Sequence, residues 1–153
     1  ISAGILELLY RKALSATGCF STAPTWRTDA APALLERVGT SLQADIGLHF
    51  NLTEGFGVQP ARSLNGLILR SLAGELSRKA TQAVIATALQ RQLDAFEAGL
   101  GIAPDFVDGH QHVHQFRGVR DVLLQVLEQR YPGSRPWIRN TVPASNKWHG
   151  KPR

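Results

Sequence analysis

The 153 residues amount to one domain's worth of chain, and 43% hydrophobic with 19% charged residues is an ordinary globular balance that excludes a disordered or low-complexity polypeptide. No apolar run reaches the roughly 18 residues of a membrane span and no signal-peptide pattern is visible, so a cytoplasmic location is expected, in keeping with a single Cys19 that has no internal disulfide partner. The net charge of +5 admits a polyanion, yet Arg11, Lys12, Arg27, Arg37, Arg62, Arg70, Arg91, Arg117 and Arg130 are scattered without a dense run among aromatics, which speaks against a nucleic-acid partner.

Residues 4 to 16 predict a helix, with Ile5, Leu8, Leu9 and Leu14 as its apolar stripe and Gly18 as its stop. A short strand through about Ala23 follows, with Cys19 packed inside it. Asp29 caps a second helix that has Pro32 in its first turn, turns Leu34, Leu35 and Val38 inward and ends at Gly39. Residues 44 to 53 alternate strictly. Ile46, Leu48, Phe50 and Leu52 point one way, and Gly47, His49, Asn51 and Thr53 the other, which is a strand with one apolar and one polar face. Residues 54 to 74 contain Gly55, Gly57, Pro60, Gly66 and Gly74 and read as a long loop with one short apolar element.

The longest helix is expected over residues 77 to 98, burying Val84, Ile85, Ala88, Leu89, Leu93 and Phe96 before Gly99 and Gly101. A strand over residues 104 to 108 then delivers the run Asp108-Gly109-His110-Gln111-His112-Val113-His114 at its C-terminal end. A helix over residues 118 to 130 carries Val119, Val122, Leu123, Val126 and Leu127, and Pro132 with Gly133 turns the chain into a last strand, Trp137-Ile138-Arg139. The order αβαβαβαβ points to α/β architecture around a parallel sheet or barrel. Ligands gather at the strands' C-terminal ends in both. Both histidine groups lie there.

If the run after Asp108 is extended, His110, His112 and His114 share one face beside the carboxylate. Imidazole is the commonest metal-binding side chain and also passes protons near neutral pH, so metal-assisted chemistry is the leading expectation, with His49 as a ligand from a neighbouring strand. The plain alternatives are a His-rich surface loop for the run and an ordinary hydrogen-bonded strand residue for His49.

The motifs Gly47-Leu48-His49-Phe50-Asn51-Leu52-Thr53 and Asp108-Gly109-His110-Gln111-His112-Val113-His114 resemble those of the YdjC-like, or ChbG-like, carbohydrate deacetylases, which read G-x-H-x-x-L-T and D-x-H-x-H-x-H. The helix bearing Ile5-Leu6-Glu7-Leu8 and its lead into Ser15-Ala16-Thr17 fit as well. The resemblance implies an irregular (β/α) barrel that removes acetyl groups from N-acetylated sugars such as chitooligosaccharides. It implies a divalent metal, magnesium or zinc, held by an aspartate and two histidines, the latter falling on His49 and His110. The family's N-terminal D-D-F-G, source of the aspartate, is absent. With Ile1 first and no methionine anywhere, the chain is expected to be a piece lacking that first strand and a C-terminal portion, in a protein whose relatives point to a homodimer.

An amide is a poor electrophile and neutral water a poor nucleophile, and a divalent ion remedies both. His114 or His112 is the expected proton donor or substrate contact, and Asp108 the expected acceptor that orients a liganding imidazole, or else a turn residue closing the strand. Arg139, Asn51 and Thr53 are expected to contact the substrate, with a surface salt bridge as the alternative for Arg139. Trp26 and Trp137 either stack on sugar rings or pack inside. Two other readings compete. One is an amidohydrolase-type metal hydrolase, weakened because its H-x-H belongs on the first barrel strand, and the other a non-catalytic metal- or sugar-binding module on a degenerate deacetylase scaffold.

Overall fold

Strand-forming alternation recurs between amphipathic helices, and in a computed structural model, which describes residues 2–38, 44–56 and 63–141, those segments assemble one four-stranded sheet of order β1-β2-β3-β4. The strands are β1 (Ala16–Cys19), β2 (Asp45–Phe50), β3 (Phe106–Gly109) and β4 (Trp137–Ile138). All three pairings are parallel, with Gly18 opposite Gly47, His49 opposite Asp108 and Val107 opposite Ile138. Parallel neighbours require crossovers, which α1 (Ser2–Tyr10), α2 (Ala31–Val38), α3 (Leu64–Leu72), α4 (Lys79–Leu100) and α5 (Val119–Arg130) frame and supply. The sheet is mixed with helices as expected for a barrel-type α/β protein, but the described strands form an open sheet and do not close into a barrel.

Alternation along β2 sets the two faces. Ile46, Leu48 and Phe50 are 2% exposed or less and pack with Val107 against Leu89, Leu93 and Phe96 of α4 and Val122, Leu123 and Leu127 of α5. The opposite face carries Gly47 and His49. Gly47 has to be bare because a Cβ there would stand 2.5 Å from the Phe106 ring, which itself stacks on Trp137 at 4.6 Å. Trp26 is buried, stacked on Phe96 at 5.9 Å, and its indole N–H donates to the Ala95 carbonyl at 2.8 Å, so packing is its role and sugar stacking is not.

Three boundaries depart from the expected ones for local reasons. The first helix stops at Tyr10 because Lys12 takes a left-handed conformation (φ 56°), and the amide of Ala13 reaches back to the Leu8 carbonyl at 2.9 Å. The strand after it ends at Cys19, short of Ala23, where the chain turns into a short π-helical segment, Trp26–Ala30. Within the stretch read as a loop, Leu64–Leu72 is a nine-residue helix, started by Ser63, whose hydroxyl accepts the Gly66 amide at 3.1 Å, and anchored by buried Leu67. The expected helix stop at Gly39 lies outside the described residues.

The far ends of α4 and α5 are tied by Glu97, which accepts from Arg130 at 3.0 and 2.7 Å and from the Tyr131 hydroxyl. The Arg130 hydrogen bond holds the Glu97 carboxyl below its usual value in spite of partial burial. A carboxylate depressed in the folded state contributes stability that is complete above the unfolded value and lost as pH falls through the folded one. Glu97→Gln is therefore expected to lower stability by about 1 kcal/mol at neutral pH, the scale of one charge-assisted contact at a half-open site. Its urea-unfolding midpoint should then fall less steeply than that of the native chain as the pH is taken below the usual carboxylate range.

Candidate metal centre

Register partners in a parallel pair point to the same side, so the pairing of His49 with Asp108 brings imidazole and carboxylate together. His49 Nδ1 and Asp108 Oδ1 are 2.6 Å apart. Gly18 on β1 leaves room beside them, since a Cβ there would lie 3.3 Å from both Asp108 Oδ1 and His49 Cβ. Burial pushes the Asp108 carboxyl up, but hydrogen bonds and charge from His49 and from Arg139, whose Nη1 lies 3.3 Å from Oδ2, outweigh it and hold the group below the usual carboxylate value. The ionised carboxylate can only accept. Nδ1 of His49 therefore carries the hydrogen of this contact, which leaves Nε2, directed away from Asp108, as the ring nitrogen a cation could use.

His110 follows β3 directly and faces His49, with ring centroids 5.4 Å apart at 73°. Its Nε2 lies 3.4 Å from Glu54 Oε1. Glu54 is placed by a tight turn in which Asn51 Oδ1 accepts the amides of Thr53 and Glu54 at 3.0 and 2.9 Å. Buried Gln92 of α4 clamps the backbone of Asn51 from below, accepting its N–H at 2.9 Å and donating to its carbonyl at 2.8 Å. Phe20, just past β1, sets its ring against His49 at 4.8 Å and His110 at 5.1 Å. Sequence pattern marks neither residue. Glu54 follows the end of a motif by one position, and Phe20 is one apolar residue in an apolar segment.

The expected single face of three histidines is not formed. His110–Gln115 is a helical turn, and Gln111 (φ 52°) and His112 (φ 59°) are left-handed, so strand alternation ends at His110. A two-residue left-handed kink is rare in non-glycine residues and sits beside the site, where strained backbone tends to be found. His112 is exposed, with its ring 6.3 Å from His114. His114 is 2% exposed, its Nε2 donates to the Arg139 carbonyl at 3.1 Å, and burial lowers its pKa, which keeps the ring neutral. Its Nδ1 stands over Gly109, where a Cβ would approach within 2.5 Å, on the side of β3 opposite Asp108. So placed, His114 braces the ends of β3 and β4, and the expected role of proton donor does not fit it. Asn51 is likewise corrected: fully buried and committed to its turn, it cannot reach a sugar. Thr53 is half-buried with a shielded hydroxyl, and Arg139 remains half-exposed beside Asp108.

Among the described residues no cluster of three or more His, Cys, Asp and Glu is arranged to hold a metal ion. The donor set nonetheless fits two positions of a divalent coordination shell: two facing imidazoles, one fixed in tautomer by a carboxylate behind it, as liganding histidines are. Cys19 is not a further donor, because burial pushes its thiol up to about 12. No helix of the described residues is long and apolar enough to cross a membrane.

Sheet and site together define an α/β protein with an imidazole and carboxylate centre at the C-terminal ends of parallel strands. The chain belongs to the YdjC-like protein family, which matches residues 1–152. It is 36% identical over 92 residues to the carbohydrate deacetylase of Mus musculus, covering 54% of this chain and 30% of that protein. The human carbohydrate deacetylase matches equally, at 36% over 92 residues, 54% of this chain and 28% of the human one. A chitooligosaccharide deacetylase of Proteus mirabilis is 31% identical over 90 residues, 56% of this chain and 35% of the bacterial one. The chain thus spans about a third of the length of the relatives it matches.

Proposed function

We propose that this chain carries the histidine ligands of a metal-dependent carbohydrate deacetylase, a hydrolase that removes acetyl groups from N-acetylated sugars of the chitooligosaccharide kind. One observation carries the reading: the His49–Asp108 pair at 2.6 Å facing His110 at the strand ends, in a chain similar to proteins named carbohydrate and chitooligosaccharide deacetylases. A bound divalent ion, zinc or magnesium, supplies polarisation of the acetyl carbonyl and, for zinc, a water pKa lowered toward about 7.

The chain's own residues do the rest. His49 and His110 would hold the ion, and Asp108 orients the His49 ring through Nδ1. The half-exposed guanidinium of Arg139 binds the acetyl oxygen or a sugar hydroxyl while anchored on Asp108. His112, exposed and two residues beyond His110, is assigned the proton transfer, taking a proton from the attacking water and giving it to the leaving nitrogen as acetate and a free amine separate. Asp108→Asn, which keeps the shape but loses the negative charge and the acceptor-only character of the carboxylate, is expected to weaken cation affinity by about 10–100-fold, read by titration calorimetry.

The test is acetate release from diacetylchitobiose by the full-length protein, before and after chelation and on return of divalent ion. Chelator-sensitive release restored by metal supports the reading. A folded, metal-loaded protein that releases none would overturn it in favour of a non-catalytic binding module.

A further inference from the structure

Phe20 is half-buried beside the site and, among the described residues, is the one whose aromatic ring contacts both imidazoles. Its contacts are edge-to-face, 4.8 Å and 81° to His49 and 5.1 Å and 69° to His110, and the two imidazoles close the triangle at 5.4 Å. Phe56 buttresses it from the outer side at 5.3 Å and 86°. The two histidines are not equally restrained. Asp108 fixes His49 at 2.6 Å, whereas His110 has Glu54 at 3.4 Å, a carboxylate whose side chain is 50% exposed, and is followed at once by the left-handed Gln111 and His112.

From this we infer that Phe20 is a positioning residue: it holds the His110 ring at its working separation from His49 and walls the pair off from water on one side. The inference rests on the metal reading above. Coordination demands donors held within about 0.5 Å, and an apolar wall around a metal site governs solvent access to it. A rigid ring packed edge-to-face against both imidazoles meets both demands, and a flexible aliphatic chain of similar volume meets only the second.

The experiment titrates Zn2+ into the metal-free full-length protein and its Phe20→Ala, Phe20→Leu and Phe20→Tyr variants, with the melting temperature of each metal-free form measured alongside. Phe20→Ala and Phe20→Leu are expected to bind Zn2+ about 10–100-fold more weakly, on the scale of other outer-shell residues, while Phe20→Tyr stays near the native affinity. The absorption bands of Co2+ in the Leu variant should shift with the changed ligand geometry. Should Phe20→Ala fail to fold, the Leu variant, which keeps the apolar volume, decides. Native affinity in the Leu and Ala variants, or a loss that only tracks melting temperature, would overturn the inference and leave the metal reading standing. Failure of the native protein to bind Zn2+ would overturn both.

Discussion

His49→Ala is expected to abolish cation binding and to lower deacetylation by about 1000-fold or more, because the several kcal/mol of transition-state charge stabilisation that a bound ion supplies are lost with it. It should also lower stability, by about 1–3 kcal/mol, since Asp108, 6% exposed, is left with Arg139 at 3.3 Å as its remaining charged partner. His110→Ala gives a different signature. Its carboxylate neighbour Glu54 is half-exposed and returns to water, so cation affinity should fall as far while the melting temperature barely moves. Calorimetric titration with denaturation of the metal-free forms separates the two. Equal affinity in His49→Ala and the native protein would remove His49 from the ligand set.

Gly118→Ala is expected to be the most damaging glycine-to-alanine change among the described residues, lowering stability by about 2–4 kcal/mol. Gly118 has φ 87° and ψ −43°, a conformation closed to alanine, and an added Cβ would run into the carbonyl of Leu76 and lie 2.9 Å from the amide nitrogen of Ser77. Backbone strain of this kind amounts to about 1–3 kcal/mol, and the overpacking adds to it. Nothing can yield cheaply, because the obstructing atoms are backbone of the turn Glu75–Ser77 that leads into α4. Gly133→Ala, where a Cβ meets nothing within 4 Å, is the control that should unfold in urea at the native midpoint.

Periodicity made the sheet legible. Ile46, Leu48 and Phe50 alternate with Gly47 and His49, and the structure keeps both faces as read. Helices α4 and α5 were legible for the same reason, with stripes long enough to outweigh local signals, although Val84, read into the α4 stripe, is exposed. Leu64–Leu72 was hidden because Gly66 and the glycines on either side of the helix pull toward loop, while its real marker, the Ser63 cap, is a single hydroxyl. In the site, His49 and Asp108 could be placed on neighbouring strand ends, but their hydrogen bond depends on a register that spacing does not contain. The histidine run misled for a physical reason: one-residue spacing implies alternation only while φ stays negative, and Gln111 and His112 leave that region without glycine to announce it. Asn51 misled because polar residues on a polar face can serve the backbone as readily as a ligand.

His49 and Asp108 stand 59 residues apart in sequence, across the whole α3–α4 crossover. Contacts so distant form late, after loop closure has been met by other interactions. A collapsed chain with its helices in place but β2 and β3 unpaired has no centre at all. Ion uptake would therefore count only molecules that have completed the sheet, and a tightly bound ion would in turn hold β2 against β3, raising the melting temperature with the logarithm of its free concentration.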